Sequence, residues 1–81
     1  MSNITIIINT PKTKSGGITI MVNQFETVSS AKEKYYSAAG TRANNQWLYG
    51  GAVLKDSENF DTIGIEDKDI IEAHPSSKGG N

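Results

Sequence analysis

The chain has 81 residues, no cysteine and a formal net charge of −1 at pH 7. This length suits a single domain with a small apolar core, and the lack of cysteine excludes disulfides and thiolate metal sites. A near-neutral charge without a basic cluster argues against nucleic acid as a partner. The chain has neither the pattern of a signal peptide nor an apolar run long enough to span a membrane. We therefore expect an intracellular protein, in the nucleus, the cytoplasm or both, that makes no membrane contact.

Two β-branched runs near the start predict a hairpin. Residues 4–8 and 18–22 have period-two character, and residues 10–17 join them with a connection that is expected to be mobile. Strand alternation then separates an inward from an outward face. The residues expected to point inward are Ile4, Ile6, Ile8, Ile18, Ile20 and Val22, and those expected outward are Ile7, Thr19 and Met21.

The pattern changes to a helical period after residue 27. Val28, Ala31 and Tyr35 recur at helical spacing, with polar residues between them. Thr27 is a suitable N-cap, and Gly40 suits a left-handed cap that ends the helix. The spacing therefore predicts one amphipathic helix of about three turns.

The second half predicts three more strands. Residues 46–49 and 53–54 flank a glycine turn, residues 60–65 form an irregular connection, and residues 69–73 form the last strand. Alternation directs Trp47 and Tyr49 inward and Leu48 outward. Most carboxylates of the chain lie in residues 56–72, which indicates either a solvated surface or an acidic face that attracts a basic partner.

Two segments carry a family resemblance. Gln46-Trp47-Leu48-Tyr49-Gly50-Gly51 and the acidic run at residues 65–74, followed by Gly79-Gly80, resemble the end of SUMO, a ubiquitin-like modifier. The resemblance covers roughly residues 4–80 and implies an α+β, ubiquitin-like β-grasp: a mixed four- to five-stranded sheet with one main helix. It implies a domain at residues 1–75 and a flexible tail at 76–81. Ferredoxin, PB1 and Ras-association domains share the order of elements, so the residues carry the assignment.

The sequence contains no motif of a catalytic, cofactor or metal site. The only histidine, His74, has no partner motif, and Glu66, Asp67 and Asp69 lack the spacing of a calcium loop. We therefore expect a protein that is not an enzyme and needs no cofactor.

The resemblance implies that the chemistry occurs at the tail. Gly79 and Gly80 match the glycines through which such modifiers are joined to target-protein lysines, and a processing protease would cut between Gly80 and Asn81. Activating and conjugating enzymes would carry out the transfer. Glycine suits these positions because a tail without side chains can enter narrow active-site channels. The alternatives are a non-conjugated interaction domain from a larger protein, and a structural subunit or divergent relative.

Three candidate binding surfaces follow from the resemblance and the strand pattern. Leu48 and His74 match positions in the binding patch of ubiquitin, and a partner motif could add a strand to the edge at residues 18–23. The outward pair Ile7 and Ile70 would lie on adjacent strands. The expected receptors contain a recognition motif, and the protein itself is expected to be a monomer. The candidate edge residues are Ile18, Ile20, Met21 and Val22.

Two further expectations concern charge. SUMO has basic residues around the strand-adding edge, and this chain has neutral ones there, so acidic or phosphorylated motifs would lose their charge partners. Lys32 and Asp56 match positions that approach each other in ubiquitin, which predicts a partly buried ion pair. The neutral replacements are Met21, Asn23, Ser30 and Ala38.

Overall fold

A computed structural model describes residues 3–11 and 17–75. In these residues five strands and two helices follow one another along the chain. They are β1 (Asn3–Asn9), β2 (Ile18–Asn23), α1 (Val28–Ala39), β3 (Gln46–Tyr49), β4 (Ala52–Val53), α2 (Phe60–Ile63) and β5 (Asp69–His74).

The strands form one mixed sheet in the order β2-β1-β5-β3-β4. The central pair, β1 and β5, is parallel, while β2 pairs with β1, β3 with β5 and β4 with β3 in antiparallel fashion. The helix α1 packs on one face of this sheet through Val28, Ala31 and Tyr35, which are all buried. The architecture confirms the predicted ubiquitin-like β-grasp with a five-stranded sheet.

The first hairpin has the predicted alternation. Ile6 and Ile8 are completely buried, and Ile20 and Val22 lie opposite them in the same core. Ile4 and Ile18, at the ends of the ladder, are half-buried and pack against it. The register pairs Ile6 with Ile20 and Ile8 with Ile18, so the inward residues of the two strands lie directly across from each other.

The main helix begins and ends where the caps predict. Thr27 Oγ1 accepts a hydrogen bond of 3.1 Å from the Ser30 N–H, and the Gly40 N–H donates to the Tyr36 carbonyl. Gly40 adopts the left-handed conformation, with φ of 75°, which a residue with a Cβ adopts only at a cost. Both predicted caps are therefore confirmed.

The connection at residues 60–65 differs from the prediction. It contains the single-turn helix α2, whose N-cap Asn59 accepts through Oδ1 from the Thr62 N–H at 2.8 Å. Phe60, the first residue of α2, is completely buried and anchors the turn in the core. Four helical residues are too few to show an apolar period, so the capping side chain and the buried aromatic decide this conformation.

Two strand boundaries also differ from the prediction. The short strand β4 is Ala52–Val53, and Leu54, the residue after it, is buried in the core. The Leu54 N–H donates to the Trp47 carbonyl at 2.8 Å, which continues the β3–β4 register one bond beyond the strand. The last strand continues to His74, since Gln46 pairs with it in register.

Candidate protein-interaction surfaces

The face of the sheet opposite α1 carries an exposed cluster, which we call the open face. The register places Ile7 directly across from Ile70, and Leu48 between Glu72 and Val53. Because side chains that face each other across a strand pair lie on the same side of a sheet, these residues share one surface. The open face consists of Ile7, Leu48, Val53, Ile70, Glu72 and His74.

The apolar side chains of the open face are partly or largely exposed to solvent. Ile70 is 52% exposed and Val53 54%, while Ile7 and Leu48 are half-buried. The predicted Ile7–Ile70 juxtaposition is confirmed. Val53 was not among the expected contact residues, although its place after the Gly50-Gly51 turn, opposite Leu48, gave a signal for it. Apolar side chains that lie together on a surface are typical of protein-binding sites.

A carboxylate lies within this apolar surface. Glu72 pairs with Asn9 on one side and Leu48 on the other, and it lies two residues from Ile70 along β5, so it adjoins both apolar pairs. The His74 Nε2 lies 3.4 Å from Glu72 Oε1. An apolar surface with a carboxylate at its centre complements a segment that has apolar side chains around a lysine or arginine.

The predicted strand-adding edge is β2, which lies at one side of the sheet. Its candidate residues differ in exposure: Ile20 and Val22 are buried, Ile18 is half-buried, and Met21 is 61% exposed. Of these four side chains, that of Met21 is the most accessible to a partner. The helix lysine Lys34 lies beside this edge, with its Nζ 3.2 Å from the Met21 carbonyl oxygen and 2.9 Å from Glu26 Oε1.

The sequence places Lys34 only on the polar side of a helix. Its contact with β2 depends on how α1 crosses the sheet, which helical periodicity does not specify. The predicted loss of charge partners considered only the four neutral positions, whereas a lysine from α1 contacts the strand. Those positions are Met21, Asn23, Ser30 and Ala38.

The predicted ion pair between α1 and the loop after β4 is confirmed. Lys32 Nζ lies 2.7 Å from Asp56 Oδ1. The lysine is buried, whereas the aspartate side chain is 66% exposed. The two members of the ion pair therefore differ in environment, since only the lysine is shielded from solvent.

The tail residues lie outside the described part of the chain. The tail comprises residues 76–78 together with Gly79, Gly80 and Asn81. The last described residues before the tail are His74, where β5 ends, and Pro75, which lies outside the strand. Proline lacks the N–H that a further ladder bond would require.

In residues 3–11 and 17–75, no three side chains of the metal-binding types come together. Neither helix in this part of the chain has the length and hydropathy needed to cross a bilayer.

The family is decided by the sequence comparison. The model of the Ubiquitin family matches residues 6–78, which is nearly the whole chain. The chain belongs to the ubiquitin family. Comparison with curated protein sequences gave no match.

Solved ubiquitin-like domains share this fold. The C-terminal ubiquitin-like domain of human 2'-5'-oligoadenylate synthetase-like protein (p59 OASL) matches with a TM-score of 0.80 and 21% identity, covering 94% of this chain and 86% of that one. The UBL domain of Plasmodium falciparum Dsk2 matches with a TM-score of 0.78 and 19% identity, covering 91% and 99%. A chain from work headed "Molecular Mimicry of SUMO promotes DNA repair" matches with a TM-score of 0.76 and 16% identity, covering 90% and 91%. At these identities the likeness concerns the fold alone.

Proposed function

We propose that this ubiquitin-family domain is a SUMO-like protein modifier, joined through the carboxyl of Gly80 to lysines of target proteins after Asn81 is removed. One observation carries the proposal. Gly80 follows the last residue of β5, His74, by six positions, and Pro75, directly after the strand, lacks the N–H that a further ladder bond would need. The β-grasp body then holds a short glycine-ended segment that other enzymes can reach.

In this proposal the chain contributes a carboxylate and a recognition surface but no catalytic group. Activating and conjugating enzymes convert the Gly80 carboxylate into an acyl adenylate and then a thioester, which a target lysine attacks. A protease first removes Asn81. The protein acts as a monomer in the nucleus or cytoplasm, without a cofactor, and receptors read it through the open face.

The second candidate is a ubiquitin-like interaction domain that is not conjugated. The Dsk2 and p59 OASL structures favour it, because both are named as domains of those proteins. In this case the open face and the β2 edge would bind partners, and Gly79-Gly80 would be part of a linker.

Conjugation is tested with a chain that ends at Gly80 and its Gly80→Ala variant, each incubated with ATP and an extract of the source cells. We expect covalent ladders with the first protein and their loss with the second, because a methyl group at Gly80 restricts the tail that must enter the enzyme channels. Immunoblotting measures the ladders. Identical patterns from both proteins, or no ladder from either, would favour the interaction domain.

The role of the open face is tested by charge reversal. Glu72→Lys should weaken the capture of basic partners at least about tenfold, because a like charge then faces the partner cation. Glu66→Lys makes the same change in net charge on the loop before β5, where the Glu66 side chain is exposed, and is the matched control. Quantitative pull-downs from extract compare the two variants with the parent. Equal loss of binding in both would indicate a general charge effect and contradict a role for Glu72.

A further inference from the structure

The backbone groups at the free edge of β2 can be assigned from the ladder. Strand β1 lies between β2 and β5. The Thr5 N–H donates to Asp67 Oδ1 at 2.7 Å and its carbonyl accepts from the Lys68 N–H, so the Thr5 backbone faces the side of β5. Because backbone direction alternates along a strand, its neighbours Ile4 and Ile6 face β2. Their partners, Val22 and Ile20, face back toward β1. The residues whose backbone faces outward at the β2 edge are therefore Thr19, Met21 and Asn23.

This edge has no charge of its own. Residues 15–25 contain no aspartate, glutamate, lysine or arginine, and their centre is the β-branched and apolar run of β2. An uncharged edge strand of this composition is a template for pairing with another strand, and proteins commonly protect such edges with a lysine. Here the lysine comes from α1, since Lys34 donates to the Met21 carbonyl.

Lys34 and Glu26 form what we call the clasp. Glu26 Oε1 accepts from Lys34 Nζ at 2.9 Å and from the Asn23 N–H at 2.8 Å, and the Glu26 N–H donates to the Asn23 carbonyl. Both backbone groups of Asn23 and the carbonyl of Met21 are thus engaged within the chain. Among the described residues, the outward groups for which no bond is seen are the Met21 N–H and both groups of Thr19.

Glu26 is well placed to hold the lysine. Its side chain is mostly buried, and Ser30 Oγ donates to its second oxygen at 2.8 Å. Partial burial alone would raise the pKa of Glu26, but hydrogen bonds from Asn23, Lys34 and Ser30 keep that pKa below its usual value. The carboxylate is therefore charged at neutral pH and fixes the Lys34 ammonium against the edge.

We propose that the clasp closes the β2 edge to the β2 strand of a second copy of this chain, and that this keeps the protein monomeric. A two-fold pairing centred on Ile20 would place Thr19 of each copy opposite Met21 of the other. The Thr19 N–H of one copy would then donate to the Met21 carbonyl of the other, which is the group that Lys34 occupies. The proposal concerns the β2 edge and does not depend on whether Gly80 is conjugated.

The composition of the β2 edge favours a second copy over a charged partner. Both strands in the pairing would be the same uncharged, β-branched segment, so neither strand would bring a charge to it. An acidic peptide would instead meet Glu26, whose carboxylate lies at the same edge. Self-pairing is therefore the association that the clasp is suited to prevent.

The test uses the full chain and its Lys34→Met variant, which keeps most of the side-chain length but removes the charge and the donors. Lys55→Met makes the same change in net charge at an exposed position away from β2 and is the matched control. Sedimentation equilibrium measures association. We expect Lys34→Met to dimerise with a dissociation constant at least about tenfold below that of the parent and of Lys55→Met. A monomeric, folded Lys34→Met would overturn the proposal.

Two further variants test whether dimerisation uses the β2 edge and whether it depends on the clasp. Met21→Pro removes an N–H that faces outward and makes no ladder bond with β1, so it should abolish dimerisation when added to Lys34→Met. A dimer that persists in this double variant would use another surface and would overturn the proposal. Glu26→Gln retains Lys34 but weakens its anchor, and it should dimerise even if Lys34→Met folds poorly. Failure of Glu26→Gln to associate, with Lys34→Met unfolded, would also refute the role of the clasp.

Discussion

Trp47→Ala is expected to lower the free energy of unfolding by about 3–5 kcal/mol, because it removes a completely buried indole from the centre of the core. The ring packs edge-on against Tyr35, with centroids 5.9 Å apart. A domain of this size has a total stability of roughly 4–12 kcal/mol, so the variant would be at or near the limit of folding. Urea denaturation followed by far-UV circular dichroism measures the change.

Trp47→Phe should be much milder, for a reason specific to this site. The Trp47 Nε1 is buried, and no acceptor among the described residues bonds to it. A buried donor without a partner destabilises the folded state by about 1–3 kcal/mol, so removing it offsets part of the lost packing. We expect a stability within about 1.5 kcal/mol of the parent, in the range of a conservative core substitution.

Trp47→Leu completes this comparison, since it removes both the indole N–H and the aromatic contact with Tyr35. It should fall between the phenylalanine and alanine variants. If phenylalanine were as destabilising as leucine, the aromatic contact with Tyr35 would have no measurable effect. A loss well above about 1.5 kcal/mol for Trp47→Phe would mean that the unsatisfied N–H carries no measurable penalty.

Regular patterns made most of the fold predictable from the sequence. Alternation identified the inward residues of β1 and β2, and helical spacing with the Thr27 and Gly40 caps located α1. These features depend on local periods and on single capping residues. The turn of α2 was missed because its stability comes from burial of Phe60, and burial depends on the rest of the fold.

The interaction surfaces were only partly predictable for a related reason. Alternation along single strands suggested Ile7, Ile70 and Leu48, but the register of β3 with β4 and β5 was needed to add Val53 and to place Glu72 beside them. The reach of Lys34 to β2 requires the crossing of helix and sheet. The conjugation residues Gly79 and Gly80 lie outside the described residues, so their role remains a prediction.

The Lys32–Asp56 pair should respond very differently to loss of its two members. Asp56→Ala leaves a buried lysine without its carboxylate, which is expected to destabilise the protein by about 1–3 kcal/mol, below the 3–5 typical of a fully buried pair because Asp56 itself is exposed. Lys32→Met keeps the packing of the aliphatic stem and leaves only an exposed aspartate. Its expected loss is below about 1 kcal/mol.

A double-mutant cycle separates the pair from its surroundings. Combining Lys32→Met with Asp56→Ala should recover most of the stability that Asp56→Ala loses, because the buried charge is then gone. Glu66→Ala, which removes an exposed carboxylate from a loop, is the control for loss of negative charge. Thermal and urea denaturation of the four proteins measure the coupling. Equal losses of stability from Lys32→Met and Asp56→Ala would contradict this prediction. They would mean that leaving the Lys32 ammonium buried without its carboxylate carries no penalty.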